Sequence, residues 1–259
     1  MEESNNIRLE FLGTGTSQGV PVVACDCPVC LSDNEKDKRL RASVLIEVNG
    51  LKLVVDAGPD FRQQMLRVGL RRLDGILLTH EHTDHIFGLD DIRAFNWVQH
   101  HPMDIYAEAR VQESIRRIFN YVFSQSGYPG IPQMNLHLID NSVFFIDSVP
   151  VIPVRGYHHQ LPVYGFRIGK LAYLTDIKTI EDHEKEKLVD LDLLIVNALR
   201  IEKHVSHFNL EEAIQLIREV KPKKAFLTHI SHMMGLHDDV QRDLPVNVFL
   251  AYDGLCLTI

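Results

Sequence analysis

Residues 78–88 read LTHEHTDHIFG, and from His80 to His85 three histidines, one glutamate and one aspartate fill five of six consecutive positions. The run follows an apolar stretch, GILL, of the kind that makes a buried strand. His80 and His82 are two residues apart at that strand's end, so their rings point to one side. Asp84 and His85 follow where the chain turns toward GLDDIRAFNWV, whose apolar spacing is helical. Four potential ligands converge from one loop, enough for two metal ions. A core strand does not accept such a run, and a solvated turn does not need it.

Further along, GYHHQLPVYGF supplies His158 and His159, and two apolar strands end in Asp176 and His229. LKLVVDAG resembles KLAYLTDI, each ending in an aspartate (Asp56 and Asp176), and GILLTHEH resembles AFLTHISH, each ending in Thr-His. Such a faint duplication suits two sheets whose strands carry polar groups at their C-terminal ends, where α/β folds place their sites. Short runs such as SVLIEV, LLIVNA and VNVFLAYD alternate with helical patterns, which predicts an α/β protein with more than one sheet. PDFRQQMLRVG is expected to be a helix from an N-cap at Asp60 to Gly69, and NLEEAIQLIREV a helix with Asn209 and Glu212 as a capping box. No linker or low-complexity tract interrupts residues 1–259, which read as one domain. Five histidines and two carboxylates together suit a binuclear site for a borderline metal such as zinc or manganese.

With 259 residues, 45% hydrophobic and 24% charged, the composition is that of an ordinary globular protein. Its net charge of −8 argues against a surface built to grip a long nucleic acid. MEESNNIRLEFLG lacks the pattern of a secretory signal and no long apolar run is present, so a cytoplasmic protein without a membrane span is expected. Cys25, Cys27 and Cys30 cluster in CDCPVC, and clustered thiols in a reducing compartment hold metal more often than they pair. Cys256 is expected to be a small buried hydrophobe in a strand. GTGTSQG does not match a dinucleotide-binding pattern and reads as a tight strand-to-loop turn. DNEKDKRLRAS is expected to be a solvated, mobile loop, and HHPM a helix-ending surface turn. Asp56 reads either as an orienting partner for a ligating imidazole or as an exposed strand-end aspartate.

His80-Glu81-His82-Thr83-Asp84-His85 resembles the HxHxDH motif of the metallo-β-lactamase superfamily, and His158, Asp176 and His229 follow in that family's order. The resemblance covers essentially the whole chain. It implies a four-layer αββα sandwich with two mixed sheets and the metals at one edge. On that pattern His80, His82 and His158 hold one ion, Asp84, His85 and His229 hold the other, and Asp176 bridges them. FLGTGTSQGVPVVACDCPVC and HHQLPVYGFRIGKLAYLTD resemble the branch containing the phosphoribosyl cyclic phosphate phosphodiesterases. That branch implies a separate structural zinc held by Cys25, Cys27, Cys30 and His232. His158 holds the matching place in H-x-x-L-P-V, with neighbouring His159 as the alternative.

The resemblance therefore implies a phosphodiesterase with two divalent ions, manganese or zinc, besides the structural zinc. Paired cations lower the pKa of a bound water toward ~7, and Asp84 belongs to that catalytic set. The expected substrate is a small cyclic phosphodiester such as phosphoribosyl 1,2-cyclic phosphate. The leaving oxygen needs a proton, and EKHVSHFNLEEA offers His204 or His207; His207 stands beside the helix start, as in the related phosphodiesterases. An RNA-processing nuclease, another hydrolase of the superfamily and a noncatalytic metal-binding scaffold are the alternatives. A homodimer is a further expectation.

Overall fold

The computed structural model describes residues 6–124 and 130–259, so the first five residues of the N-terminal stretch read above lie outside it. One sheet contains β1 (Arg8–Gly13), β2 (Ser43–Val48), β3 (Leu51–Val55), β4 (Gly75–Leu77), β5 (Met103–Ala107) and β6 (Met134–Leu138) side by side. The second contains β7 (Phe144–Ile146), β8 (Val149–His158), β9 (Leu161–Ile168), β10 (Leu171–Leu174), β11 (Thr179–Ile180), β12 (Leu193–Asn197), β13 (Lys224–Thr228) and β14 (Val248–Leu250). The C-terminal β15 (Cys256–Thr258) returns to the first sheet beside β1. Both sheets are mixed: β3, β4, β5 and β6 run parallel in the first, and β10, β12, β13 and β14 in the second.

Side-chain alternation along the strands builds the layers. Leu53 and Val55 of β3 meet Leu193 and Ile195 of β12 in a core between the sheets. The intervening Val54 faces α1 (Phe61–Val68), and Leu194 and Val196 face the opposite helical layer. Short α2 (Thr83–Ile86), α3 (Arg93–Gln99), α4 (Ala109–Ile118) and α5 (Asn120–Phe123) lie on the first sheet's side of the sequence order; α6 (Asp182–Lys185), α7 (Leu210–Val220) and α8 (His237–Asp243) follow among the later strands. Phe61, Phe95 and Ile115 cover the first sheet, while Ala213, Leu216 and Ile217 of α7 cover the second. This is the expected four-layer αββα sandwich. α7 carries the expected capping box, with the Asn209 side chain accepting from the Glu212 N–H at 3.0 Å and Glu212 accepting from the Asn209 N–H at 3.0 Å.

Several local expectations are corrected. α1 has Asp60 at its N-cap and Gly69 at its C-cap as expected, but the Asp60 side chain makes no cap hydrogen bond; its carboxylate accepts from the Arg41 N–H at 2.8 Å and from the Arg41 guanidinium. Cys256 lies in a strand as expected but is exposed, because β15 is the edge strand of its sheet. Residues 33–43 are not simply a solvated loop. Arg39 is buried and donates to Thr14 Oγ1 (2.9 Å) and the Ala251 carbonyl (2.6 Å), while buried Asp37 accepts from the His237 N–H (2.7 Å). HHPM does end a helix, with His100 in the left-handed conformation after α3. Strand β8 escapes the sequence reading because Pro150 and Pro153 argue against a strand. Pro153 falls between the segments of β8 that pair with β7 and with β11, where its missing N–H is tolerated.

Two glycines hold the histidine-rich turn against the first sheet. A Cβ on Gly58 would lie 1.9 Å from the Asp84 carbonyl oxygen, and one on Gly88 would lie 2.1 Å from the Gly58 carbonyl oxygen. The Gly88 N–H donates to the Ala57 carbonyl at 2.8 Å, so the backbones are in direct contact. Gly88→Ala should therefore destabilise the fold by ~1–3 kcal/mol, the usual range for overpacking. Urea unfolding checks this, and an unchanged midpoint would show that the turn does not need the close approach.

Candidate metal centre

The C-terminal ends of β3, β4, β10 and β13 meet at one edge of the sandwich and deliver Asp56, His80, Asp176 and His229. Three of these residues stand on left-handed backbone: Asp56 at φ +64°, Asp176 at +58° and His229 at +56°. Non-glycine residues adopt that conformation against a local cost, and such positions cluster at functional sites. From the first sheet α2 contributes Asp84 and His85, and from the second β8 ends in His158.

Asp84, His85, Asp176 and His229 are buried, and one donor atom from each lies within 4.8 Å of the others. His85 Nε2 is 3.2 Å from Asp84 Oδ2 and 3.3 Å from Asp176 Oδ2. His229 Nε2 is 3.2 Å from Asp176 Oδ1 and 3.8 Å from Asp84 Oδ2. His80 Nε2, His85 Nε2 and His229 Nε2 are buried without a hydrogen-bond partner among the described residues. Such costs are unusual in a native interior. Donor atoms bound at 2.0–2.2 Å to one ion sit about 3–3.5 Å apart, so these residues fit a metal ion.

Burial raises the Asp84 and Asp176 carboxyls, yet their histidine neighbours, His85 and His229 chief among them, hold both below the usual carboxylate range. His85 is buried, which lowers it, but Asp56, Asp176 and Asp84 push it well above the usual imidazole range. His80 goes the other way: burial, then the His85 charge, lowers it. Asp56 is fully buried and is raised by that burial despite His85. Its carboxylate lies 2.7 Å from His85 Nδ1 and accepts from the Thr79 N–H at 2.9 Å, so it orients the imidazole and is not an exposed strand end.

The rings of His80 and His82 are 4.5 Å apart at their centroids and stand 6.1 and 5.1 Å from His158. Their donor atoms do not close into as tight a group as the four above. His159 is exposed in the turn after β8, so His158 is the one facing the cluster. A second close group is His158, Asp176 and His207. His207 Nδ1 is 3.7 Å from Asp176 Oδ1, and its ring lies 4.4 Å from His158 and 4.8 Å from His229. Burial lowers His207 to about 3, with Asp176 opposing only in part. His204 is less buried; its ring is 5.2 Å from His207 and its Nδ1 receives the Ser206 N–H at 3.3 Å.

Cys25, Cys27, Cys30 and His232 form a separate group. Their Sγ atoms lie 3.3, 3.3 and 3.5 Å from His232 Nδ1. A tetrahedral zinc with ordinary Zn–S and Zn–N bonds sets sulfur and nitrogen about 3.5 Å apart, so this set fits zinc geometry. The Cys30 N–H, then His232, lowers the Cys27 thiol to about 6, toward the thiolate a metal requires. GTGTSQG pairs with this region: the Ile230 N–H donates to the Thr14 carbonyl (2.9 Å) and the Thr16 N–H to the Ile230 carbonyl (3.1 Å). The sequence reading missed that role, because backbone pairing leaves no residue-type signal.

Residues 52–230 match the Beta-lactamase superfamily domain. A solved structure described as a new diphosphatase from the PhnP family superposes with a TM-score of 0.92 at 37% identity, covering 98% of this chain and 97% of that one. The chain belongs to the beta-lactamase superfamily and, within it, to the PhnP family. It thus has the metallo-β-lactamase fold of a hydrolase, with a His/Asp metal-binding cluster and a Cys3His site. An octanoyltransferase of Porphyromonas gingivalis is 43% identical over 252 residues, which are 96% of this chain and 51% of that protein. A ribonuclease Z of Anoxybacillus flavithermus is 28% identical over 165 residues, 62% of this chain and 48% of that protein. The chain spans about half the length of these curated relatives. Among the described residues no helix is long and apolar enough to cross a membrane.

Cys27→Ser should remove one zinc per chain and lower the melting temperature, because the site closes a loop of 202 positions between Cys30 and His232. The loss should be on the order of several kcal/mol. Metal analysis with thermal unfolding reads both, and unchanged zinc with unchanged stability would remove the assignment.

Proposed function

We propose that the protein is a metal-dependent phosphodiesterase that opens a small cyclic phosphodiester such as phosphoribosyl 1,2-cyclic phosphate. In this reading His80, His82 and His158 hold one divalent ion, zinc or manganese. Asp84, His85 and His229 hold the second, and Asp176 lies between them. When bound, the ions supply Lewis acidity and an acidified water. The observation that carries the reading is the buried His207, whose Nδ1 faces Asp176 3.7 Å away while its ring touches His158 and His229.

A histidine so placed has two uses, as proton donor to a leaving oxygen or as a ligand with His158 and Asp176. The first is favoured because His207 follows a loop and stands two residues before Asn209, the N-cap of α7, apart from the strand ends and the α2 turn that carry the other donors. Burial keeps it neutral in the free protein. An anionic phosphate lying against it favours its protonated form, the proton being taken up from solvent as the substrate binds. Asp56 keeps His85 oriented, with its Nδ1 occupied and its Nε2 turned to the carboxylates. A cyclic ester keeps its leaving oxygen tethered and close to one histidine.

The PhnP-family diphosphatase supports phosphate-ester chemistry, and the ribonuclease Z relatives support an RNA substrate as the second reading. A net charge of −8 weighs against gripping a long polyanion. The octanoyltransferase name belongs to a protein about twice the matched length. An acyl ester or structured RNA cleaved faster than every small phosphodiester would transfer the reading to one of those relatives.

His207→Ala should lower turnover ~10²–10⁴-fold on a cyclic sugar phosphodiester, whose alkoxide needs a proton, and much less on a nitrophenyl phosphodiester. Equal losses with a lost metal ion would make His207 a ligand instead. Asp176→Ala should abolish turnover on both substrates while the protein stays folded by circular dichroism. Near-wild-type turnover of that variant with metal present would defeat the binuclear arrangement.

A further inference from the structure

Glu81, between His80 and His82, is not among the candidate ligands, yet its carboxylate is tied down. Arg110, the second residue of α4, pairs with Glu81 through one guanidinium nitrogen. Its other terminal nitrogen donates to the Pro162 carbonyl at 2.7 Å and lies 3.3 Å from Glu108 Oε2. Side-chain exposures of 29% for Arg110 and 19% for Glu81 place the pair partly out of solvent. Glu81 belongs to the turn after β4 in the first sheet, whereas Pro162 belongs to β9 in the second. In the β8–β9 pairing Pro162 faces Tyr157 and its neighbour Leu161 faces His158.

One planar side chain therefore joins the turn bearing His80 and His82 to the hairpin bearing His158. A guanidinium suits this, because its fixed fork serves a carboxylate and a carbonyl together, which a lysine ammonium on a flexible stem does less well. A further tether, the Tyr164 N–H to the Thr79 carbonyl at 3.0 Å, is pure backbone and sets distance without bearing on the Glu81 charge. Glu108 and Pro162 bracket the guanidinium, so its orientation is fixed from three sides. By contrast Asp84, His85, Asp176 and His229 are organised by one another and by Asp56, while the Arg110 hydrogen bonds and ion pairs among the described residues go to Glu81, Glu108 and Pro162.

From this we infer that Arg110 is a positioning residue for one of the two ions, the one assigned to His80, His82 and His158. It spaces two sheets' ligands and offsets part of the negative charge of Glu81 beside them. The inference rests on the ligand assignment under Proposed function, but not on the substrate named there.

The test measures metal affinity without substrate, by competition with a chromophoric chelator on the zinc-loaded protein. Arg110→Ala should weaken one of the two ions at the His/Asp centre by about ten- to a hundredfold, the usual cost of losing an orienting partner. The second ion and the cysteine-held ion should keep wild-type affinity, and Arg110→Lys should recover part of the loss. Unchanged affinity for every ion, or equal weakening of all of them, would overturn the inference. If Arg110→Ala fails to fold, Glu81→Gln is read the same way: selective weakening of one ion supports the inference and no selectivity overturns it. Wild-type protein that binds no pair of ions at the His/Asp centre would instead defeat the underlying assignment.

Discussion

The hydrogen bond between Asp56 and His85, 2.7 Å long and wholly buried, is the contact on which the edge of this sandwich depends. A lone carboxylate in an apolar interior is strongly disfavoured, so it has to be partnered on every side. Thr79 supplies a backbone N–H and a hydroxyl, and His85 supplies its ring. Thr79 ends the strand direction of β4 while His85 sits in α2, so one carboxylate fixes both limbs of the histidine-rich turn. Thr79 Oγ1 also lies 3.0 Å from His80 Nδ1. Two imidazoles thereby have their outer nitrogens engaged and their inner nitrogens free. The remaining parts follow: Asp84 rides on the turn, and Asp176 and His229 meet it from the second sheet.

Much of this was legible because the chemistry is concentrated. Histidines and carboxylates placed at the C-terminal ends of apolar strands announce both the sheets and their common edge. The repeated strand endings at Asp56 and Asp176, and at His80 and His229, do map onto the two sheets. What escaped reading was decided by long-range partners. Arg39 looks like a surface cation in DNEKDKRLRAS, but Thr14 and Ala251 reach it from far along the chain. Cys256 is apolar in habit yet lies on an edge strand, where neighbours cover one side at most. The proline-bearing β8 goes unrecognised as a strand until its partners on both sides are known. His158 and His159 differ only in which way the turn throws them, a matter of φ and not of residue type: His159 takes +58°.

The segment from His229 to His232 belongs to both metal-binding sets, three residues apart. It is held from a third direction by backbone bonds to Thr14 and Thr16. The cysteine cluster is therefore part of the scaffold beneath the His/Asp centre.

The left-handed backbone at Asp56, Asp176 and His229 sets a limit on how far this chain can be optimised. Glycine occupies that region without the steric penalty that a Cβ brings, whereas a histidine or aspartate is strained there by roughly 1–3 kcal/mol. At all three positions the sequence keeps the side chain. A search guided by thermal stability alone would be drawn toward glycine at Asp176 and His229, which belong to the donor set, and would drift toward a sturdier but chemically silent sandwich, whereas Asp56 is kept by its buried bond to His85. Here robustness and reactivity compete for the same two residues.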